Sequence, residues 1–486
     1  MEVPHLKTKI ISGIFWNITQ LAVNKMFAFI IKLVLARLLF PEEFGLVGMA
    51  VVFTTFIQVF NDLGLGGALV QRKDEDLREA HYHTAFWTGI AWSVVIYLII
   101  TFIVAPLAAM FYGEPLLRSV IPVLSIGVLA SPINLVHRAQ LTKQMNFKKL
   151  AFINNAPVIF SGVVSITLAF MGFGVWSLVF NSVAAFVVAM PLYFMATHWM
   201  PKFIWEKEAF NDIFGFGMFT TGSSVVNVVV ANIDYLLIGK LLSAAALGKY
   251  TLAFVLTDTF RNKMTTMINR VMYPVYGKKQ GNPKALRNFY FKVVKYNSIC
   301  IYPVMLFLII LGEPFVINVF GEKWIEAVGP LKILAFSVMI HILVNSHAIL
   351  IRGLGKARLE MRIQFLKAAL YVPTIAAGIY FYGTEGAAWA YVFNKVLEVI
   401  IAQYYLKKLV DITPLDLFMT MRPPLLASIV TFAITYMLYV LGLHYILCTL
   451  VLGITFGAII WLSMKAELLE NITSIKNMRK KVSPVA

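Results

Sequence analysis

The sequence has little cysteine, little negative charge and no polar segment long enough to form a domain outside a membrane. Its 486 residues include two cysteines, Cys300 and Cys448, and both lie in apolar runs, which excludes a disulfide framework and offers no metal-ligand spacing. The sequence contains no paired-carboxylate loop, metal cluster or phosphate-cradling glycine motif, so a membrane glycosyltransferase or polymerase is the least favoured class. The missing P-loop argues against direct ATP use. We therefore predict a protein that is not an enzyme and has no cofactor.

The abundant residues are apolar. Hydrophobic residues make up 59% of the chain and charged residues 14%, and the mean hydropathy is +0.78, which excludes a water-soluble globule. Apolar runs of about 20 residues or more favour helices, because a helix satisfies its own backbone hydrogen bonds in hydrocarbon. Barrel strands would alternate over roughly 10 residues, and these runs do not. The first run is long and carries Lys25 and Lys32, so it is not a cleavable signal.

The hydropathy pattern predicts an all-α polytopic membrane protein with about 14 transmembrane helices. They are predicted at roughly 11–39, 43–70, 84–111, 115–137, 150–171, 174–197, 211–240, 244–272, 288–312, 326–351, 361–382, 385–406, 419–441 and 444–464. We divide the chain into an N-lobe with helices 1–6 (1–200), a C-lobe with helices 7–12 (201–409), helices 13 and 14 (410–465) and a basic cytoplasmic tail (466–486).

Positive charge is concentrated in alternate connections between these helices. The basic inner connections include Arg72, Lys73, Arg78, Arg138, Lys143, Lys148, Lys149, Lys202, Lys207, Lys278, Lys279, Lys284, Arg287, Arg352, Lys356, Arg358, Lys407 and Lys408. The outer turns at 40–42, 112–114, 172–174, 383–386 and 442–444 contain no lysine or arginine. The positive-inside rule therefore predicts that both termini are cytoplasmic. The same distribution explains the net charge of +18 as an orientation signal, without a nucleic-acid partner.

Two stretches that lie 203 residues apart resemble one another. Ala36-Arg37-Leu38-Leu39-Phe40-Pro41-Glu42-Glu43-Phe44-Gly45 aligns with Gly239-Lys240-Leu241-Leu242-Ser243-Ala244-Ala245-Ala246-Leu247-Gly248, and at this offset Asn24 aligns with Asn227. At a similar spacing, Trp176-Ser177-Leu178-Val179-Phe180-Asn181 recurs as Trp389-Ala390-Tyr391-Val392-Phe393-Asn394. Internal duplication in a membrane protein is typical of a transporter with its substrate path between the copies.

Polar residues within the predicted spans identify a candidate substrate site. Charge in a span usually faces a partner or a wet cavity. Helix one carries a polar stripe of roughly 140° formed by Asn17, Gln20, Asn24, Lys25 and Lys32, and helix seven carries Asn227 and Asp234. We expect the two polar faces to line a shared cavity. Interhelical hydrogen bonding of Asn24 and Asn227 is the alternative.

The next spans add further basic residues. Helix eight carries Asp258, Arg261 and Arg270, and helix nine carries Lys292 and Lys295. Asp258 and Arg261 could neutralise each other as a structural pair, as could Lys395 and Glu398 in helix twelve, and Arg270 could extend to lipid headgroups. The predicted substrate-binding set is Asn24, Lys25, Lys32, Asn227, Asp258, Arg261, Arg270, Lys292 and Lys295. A basic, amide-rich cavity suits an anionic sugar ligand.

Three residues are candidates for a gate or for ion coupling. Asp62 and Arg72 flank the glycine-containing end of helix two, where the backbone could unwind, and Asp234 lies in helix seven. Asp62, Asp234 and Asp258 could bind H⁺ or Na⁺, and each also has a credible static role. A capping role for Asp62 remains the alternative.

Three segments carry a family resemblance. They are Leu35 to Gly45 (LARLLFPEEFG), Asp62 to Arg72 (DLGLGGALVQR) and Gly172 to Val179 (GFGVWSLV). With them the chain resembles a Wzx-type polysaccharide flippase of the multidrug/oligosaccharidyl-lipid/polysaccharide exporter superfamily, and within it the colanic-acid-exporter branch. The resemblance implies a V-shaped pair of six-helix lobes, two trailing helices and a basic central cavity, in a bacterial inner membrane.

The resemblance also implies a function. Similar proteins move undecaprenyl-diphosphate-linked repeat units from the cytoplasmic to the periplasmic leaflet, so the expected partners are that lipid-linked oligosaccharide, membrane lipids and a polysaccharide polymerase machinery, and the expected state is a monomer. The alternative is a MATE-like or 14-helix exporter of drugs or small solutes. For cationic drugs we would expect a more aromatic or acidic pocket than these basic spans provide.

Overall fold

The computed structural model of the chain describes the backbone of residues 3–61 and 65–482. Side chains outside the description are those of 3–15, 17, 18, 22, 59, 60, 74, 215–227, 229, 230, 259, 260, 262–264, 266–271, 274, 357, 468 and 470–482. The regular secondary structure of the described residues is entirely helical, which confirms the all-α prediction. Nine helices among the described residues are long and apolar enough to cross a membrane. Each of the fourteen predicted segments overlaps described helix, although the fourth is interrupted at Ser125 and the tenth at 343–346, and the count of fourteen spans stays a prediction.

The chain forms two compact units, Met1–Thr251 and Leu252–Ala486. The helices of the first are α1 (Val3–Leu38), α2 (Pro41–Asn61), α3 (Leu65–Gln71), α4 (Glu79–Ile99), α5 (Ala105–Tyr112), α6 (Leu117–Leu124), α7 (Ile126–Lys143), α8 (Phe147–Phe170), α9 (Val175–Thr197), α10 (Lys207–Leu241) and the start of α11 (Ala244–Lys278). A short π-helix (Ile100–Val104) joins α4 to α5, so the two form one continuous span of 34 residues.

Close helix approaches hold the first unit together. α8 and α9 form a hairpin, and α1 packs along α8 where Gly162 faces Ile31. α4 approaches α7 closely because Gly89 faces Pro132. These contacts follow the rule that small residues let membrane helices pack tightly. α10 packs against α2, α3 and α4 of this unit, although the predicted lobe boundary precedes it at residue 200; the division into lobes stays a prediction.

The segment between α9 and α10 is tied to the first turns of α4. The Trp87 Nε1 group donates a hydrogen bond to the Lys202 carbonyl oxygen at 2.7 Å, and Trp205 Nε1 donates to Thr88 Oγ1 at 3.1 Å. Large amphipathic side chains of this kind bury an apolar body while the indole N–H finds an acceptor. The bonds fix where α10 begins relative to α4.

The second unit contains the rest of α11 and six further helices. These are α12 (Pro283–Phe320), α13 (Val328–Ile342), α14 (His347–Gly353), α15 (Ala357–Val410), α16 (Pro414–Val440) and α17 (Tyr445–Val482). α15 is a hairpin in fact, because its backbone leaves helical geometry at Tyr382 and Gly383, where Gly383 has φ +59°. This is the position of the predicted turn between helices eleven and twelve. α17 is kinked at Met464.

Buried tyrosines connect α12 to α13 in the second unit. The Tyr290 hydroxyl donates to the Leu343 carbonyl oxygen just beyond α13, and the Tyr302 hydroxyl donates to that of Met339, each at 3.1 Å. A buried hydroxyl needs such an acceptor, since an unpaired one would cost free energy. The trailing helices α16 and α17 pack against each other and against α12, which places both on one long helix of this unit.

Candidate substrate site

The starts of α2 and α11 contact each other inside the first unit. α2 begins at Pro41 and α11 at Ala244, which are separated by the repeat offset of 203 residues. A Cβ atom on Gly45 would lie 1.7 Å from the carbonyl oxygen of Ala244, and one on Gly248 would lie 1.8 Å from the carbonyl oxygen of Pro41. The two contacts are equivalent in the repeat, because Gly45 aligns with Gly248 and Pro41 aligns with Ala244. This is the reciprocal pattern that a two-fold axis produces in a symmetric dimer. Glycine at both positions is what allows the two backbones to touch.

α1 places its three predicted site residues in different surroundings. The Asn24 side-chain amide donates to the Asn154 carbonyl oxygen of α8 at 3.0 Å, which is the interhelical bond considered as the alternative role. Lys25 and Lys32 are exposed. They lie two turns apart on one face of the helix. The protein therefore leaves two cations uncovered within the first predicted span.

Asp234 is buried in α10, with 2% of its surface exposed. One carboxylate oxygen accepts a hydrogen bond from the Tyr250 hydroxyl at 3.3 Å, and the other accepts from the Tyr235 backbone N–H at 3.0 Å. A buried carboxylate in a predicted span is costly unless such donors satisfy it. Its predicted role in gating or ion coupling stays a prediction.

Arg72 belongs to an ion cluster at the junction of α3, α4 and α10. Its guanidinium donates to the Asp212 carboxylate at 2.6 Å, and the same Asp212 oxygen lies 3.2 Å from Nε2 of the fully buried His81. Lys143 of α7 donates to the Arg72 carbonyl oxygen at 2.7 Å. Asp212 is thus the acceptor that joins the predicted gate residue Arg72 to the start of α10.

We expect Asp212→Ala to destabilise the protein more than Arg72→Ala. Removing the carboxylate leaves the buried His81 nitrogen without its acceptor, at a cost of roughly 1–3 kcal/mol, whereas an exposed ion pair contributes about 0–1 kcal/mol. The measurement is the temperature at which half of the detergent-purified protein is lost from the monodisperse gel-filtration peak. Glu208→Ala, which removes an exposed partner of Arg78, is the control and should change little. Equal shifts for Asp212→Ala and Arg72→Ala would contradict this assignment.

Among the predicted site residues whose side chains the structure describes, Asp258 and Arg261 are in direct contact with each other. The Arg261 Nε donates to Asp258 Oδ1 at 2.9 Å, and the side chains are 12% and 14% exposed. The Thr265 hydroxyl, one turn on, donates to the Arg261 carbonyl oxygen and accepts from Asn345 at 2.7 Å. The pair therefore begins a polar chain that runs from α11 to the residues before α14.

Lys295 of α12 pairs with a carboxylate from the end of the chain. Its ammonium group lies 2.6 Å from Glu467 of α17, which also accepts from the Tyr296 hydroxyl at 3.1 Å. Lys292, three residues earlier, is exposed. The two lysines thus differ, because Lys295 has a fixed counterion and Lys292 lies on the surface of its unit.

Lys295→Met and Glu467→Gln should each lower thermal stability, and the double variant should lose less than the sum of the two. The pair is 16% and 33% exposed, so we expect a coupling free energy of about 1 kcal/mol in a double-mutant cycle. Unfolding of the four proteins in one detergent provides the measurement. Strict additivity would show that the ion pair contributes nothing beyond its separate side chains.

A charged cluster around Glu398 was not included in the predicted site. Glu398, 4% exposed in α15, accepts from Lys367 at 2.5 Å and from Lys395 at 3.0 Å, and His341 Nδ1 lies 3.6 Å away. The sequence suggested only the local Lys395–Glu398 pair. The hairpin shape of α15, which brings Lys367 next to Glu398, was the available signal, since the turn between helices eleven and twelve was itself predicted.

Three predicted residues lie outside the described residues. Asp62 is outside the described backbone, and the side chains of Asn227 and Arg270 are outside the described side chains. The described members of the set divide between the units. Asn24, Lys25, Lys32, Arg72 and Asp234 lie in the first, and Asp258, Arg261, Lys292 and Lys295 lie in the second.

The fold and these charged helices define a polytopic membrane protein, and the relatives and structures that it resembles are named as transport proteins and flippases, not as enzymes. A family model described as "Polysaccharide biosynthesis protein" matches residues 34–329, more than half of the chain. The chain belongs to this family, and the similarity to its relatives confirms the resemblance to Wzx-type polysaccharide flippases seen in the sequence.

Two relatives and one solved structure show how far the likeness extends. The chain is 27% identical over 440 residues to the teichuronic acid biosynthesis protein TuaB of Bacillus subtilis (strain 168), covering 88% of each chain. It is 23% identical to the succinoglycan biosynthesis transport protein ExoT of Rhizobium meliloti (strain 1021), covering 96% of this chain and 95% of ExoT. The structure of the lipid II flippase MurJ in an inward closed conformation matches with a TM-score of 0.71 at 12% identity, covering 94% of this chain and 100% of that chain. At that identity the structural match shows the fold.

Proposed function

We propose that this protein is a flippase that moves an undecaprenyl-diphosphate-linked oligosaccharide repeat unit from the cytoplasmic to the periplasmic leaflet of a bacterial inner membrane. The observation that carries the proposal is the pair of exposed lysines, Lys25 and Lys32, in the first predicted span. An uncovered ammonium group in hydrocarbon is costly, so this face needs water or an anionic ligand. A diphosphate group supplies the opposite charge for both lysines.

The relatives support the class of cargo. Their printed names place them in the biosynthesis of teichuronic acid and in succinoglycan transport, and the matching structure is a lipid II flippase. Teichuronic acid and succinoglycan are polysaccharides, and lipid II is a sugar carried on a lipid. A lipid-linked oligosaccharide for exopolysaccharide, O-antigen or capsule biosynthesis is the cargo that fits all three.

Alternating access is the mechanism we infer. The contact between Gly45 and Gly248 supports it, because two backbones that touch without intervening side chains can separate without breaking a packed core. In the predicted orientation this contact lies at the outer end of α2 and α11. We infer that it closes the periplasmic side while the diphosphate enters from the cytoplasm, and opens when one repeat copy rocks against the other.

The remaining predicted residues are assigned to this mechanism. In the first unit Asn227 is assigned to substrate binding, and Asp62, Arg72 and Asp234 are assigned to gating or coupling. In the second unit Arg261 and Lys292 are assigned to substrate binding. The prenyl tail stays in lipid during transfer, and both termini remain in the cytoplasm. The inferred working state is a monomer that passes its cargo to a polysaccharide polymerase machinery.

Cells that lack this protein should accumulate the lipid-linked repeat unit on the cytoplasmic side. The test extracts lipids from deletion and wild-type cells and identifies the diphosphate-linked glycan by mass spectrometry. We expect the intermediate to rise in the deletion strain and to return to normal when the gene is restored. Equal levels of every lipid-linked glycan in the two strains, together with normal surface polysaccharide, would refute the proposal.

A further inference from the structure

The cluster around Glu398 contains more cations than anions. Lys367 donates to one carboxylate oxygen of Glu398 at 2.5 Å and Lys395 donates to the other at 3.0 Å. Within the described part of the chain, Glu398 is the one carboxylate in contact with either lysine. The two lysines and Glu398 therefore carry a net charge of +1. The His341 Nδ1 atom lies 3.6 Å from a carboxylate oxygen of Glu398.

The two ammonium groups retain donors that Glu398 does not use. Each ammonium has three N–H groups, and Glu398 accepts one from each lysine. Lys395 also lies 5.0 Å from the centre of the Tyr391 ring, which stabilises a cation weakly. His341 Nδ1 is buried and has no hydrogen-bond partner among the described residues. Several donors thus converge on one carboxylate.

Partial exposure makes these donors accessible. The Lys367 and Lys395 side chains are 22% and 16% exposed, whereas the side chain of Glu398 is 5% exposed. A buried positive charge without compensation is strongly unfavourable, so the excess charge must be met by water or by an anion that reaches the lysines from the surface. A metal cation would be repelled by both ammonium groups.

The lysines lie at a common depth. Lys367 is 16 residues before Gly383 and Lys395 is 12 residues after it. At about 1.5 Å per residue, both lie roughly 18–24 Å along their hairpin arms from that turn. In the predicted orientation this is the cytoplasmic half of a hydrocarbon layer about 30 Å thick, where a ligand that enters from the cytoplasm would meet them.

We propose that Lys367 and Lys395 form an oxyanion-binding site, for which Glu398 is the internal counterion. Glu398 shows the ligand geometry directly, because it bridges the two ammonium groups with one oxygen each. A carboxylate of an acidic sugar or a phosphate of the lipid diphosphate has the same chemistry. The ligand competes with Glu398 for the lysine donors. The site deepens the proposed function and rests on it, since it recognises a negatively charged group of the cargo.

The test is direct anion binding to the purified full-length protein in detergent. Equilibrium dialysis with radiolabelled glucuronate and, separately, with inorganic pyrophosphate distinguishes a sugar carboxylate from a diphosphate as the ligand group. We expect Lys367→Met and Lys395→Met to weaken binding of the preferred probe about tenfold or more, since each removes a charge-assisted hydrogen bond. Glu398→Gln should tighten binding about tenfold, because the competing charge is gone.

The lysine variants should weaken anion binding and Glu398→Gln should strengthen it, and this difference in direction distinguishes a binding site from a purely structural ion cluster. A structural role predicts that Glu398→Gln never improves binding. The surface pair of Lys332 and Glu313, 3.5 Å apart in the same unit, provides matched controls, and Lys332→Met and Glu313→Gln should leave binding unchanged.

Charge-balanced variants keep the test informative if Glu398→Gln fails to fold. Lys367→Met with Glu398→Gln keeps the net charge of the cluster at +1, so this double variant should fold. It should bind about tenfold more weakly than the Glu398→Gln protein or, if that protein fails to fold, about tenfold more tightly than the Lys367→Met protein. Wild-type affinity in Lys367→Met and Lys395→Met would overturn the proposal. Leaflet transfer by the wild-type protein, measured separately in vesicles, shows whether the proposed function survives that result.

Discussion

Replacing Gly45 by isoleucine is expected to reduce the initial rate of lipid-linked oligosaccharide transfer at least about tenfold. Any Cβ atom at this position would lie 1.7 Å from the Ala244 carbonyl oxygen, so α2 and α11 must separate. Overpacking of this kind costs about 1–3 kcal/mol, enough to shift a two-state equilibrium by roughly 5- to 150-fold. If the transport cycle passes through the conformation in which α2 and α11 touch, the transfer rate falls in proportion to the population of that conformation. Reconstituted vesicles with a fluorescent substrate provide the measurement.

The repeat makes the prediction symmetric. Gly248→Ile should have an effect of similar size, because its Cβ meets the Pro41 carbonyl oxygen at 1.8 Å. Gly457→Ile is the control, since a Cβ at that helical glycine would meet no atom within 4 Å. Wild-type transfer in both Gly45→Ile and Gly248→Ile would show that the contact is not part of the transport cycle.

A reversible cross-link tests whether this contact opens. A Cβ atom on Gly48 would lie 3.7 Å from Thr251 Oγ1, so Gly48→Cys with Thr251→Cys should form a disulfide once Cys300 and Cys448 are replaced by serine and alanine. Oxidation should stop transfer and reduction should restore it. Undiminished transfer by the fully cross-linked protein would mean that α2 and α11 stay together throughout.

Asp258→Asn is expected to cause a large loss of stability. The substitution leaves the Arg261 guanidinium, 12% exposed, without its counterion. Breaking a buried ion pair by removing one partner costs about 3–5 kcal/mol, whereas replacing both partners by apolar or neutral groups is often tolerated. We therefore expect Asp258→Asn to lower the thermal stability strongly, and Asp258→Asn with Arg261→Met to restore most of it.

Transfer measurements on the same variants separate the two roles of Arg261. If Arg261 contacts the anionic cargo, the doubly substituted protein should be stable and should still transfer the substrate at least about tenfold more slowly than the wild type. Normal transfer by that stable double variant would leave Arg261 as a structural partner of Asp258. The thermal comparison alone contradicts the buried-pair account if Asp258→Asn is as stable as the wild type.

Helix positions could be predicted because hydropathy and turn residues are local signals. A span in lipid needs about 20 apolar residues, so each span can be predicted from its own sequence without knowledge of the helices that pack against it. The turn at Gly383 illustrates this, since glycine between two apolar runs marked it and the backbone there adopts φ +59°. In the sequence, Gly45 and Gly248 stood out only as aligned positions of the internal repeat. The atoms that each of them contacts could be identified only from the structure.

The partners of the charged residues could not be predicted in the same way. Helical periodicity indicates which face of a helix a residue occupies, but it does not indicate which residue of another helix lies opposite that face. Lys295 is paired with Glu467, 172 residues later, and Arg72 with Asp212, 140 residues later. Asp258 and Arg261, three residues apart on one helix, were predictable as a pair for the opposite reason.

Leaflet transfer by the purified protein tests the central claim most directly. Vesicles carry fluorescent undecaprenyl-diphosphate-linked oligosaccharide in both leaflets, and a membrane-impermeant quencher reports its arrival on the outer face. The account predicts a transfer rate that rises with the amount of wild-type protein and falls at least about tenfold when Lys25 and Lys32 are both alanine. A rate equal to that of protein-free vesicles, with correctly folded wild-type protein present, would contradict it.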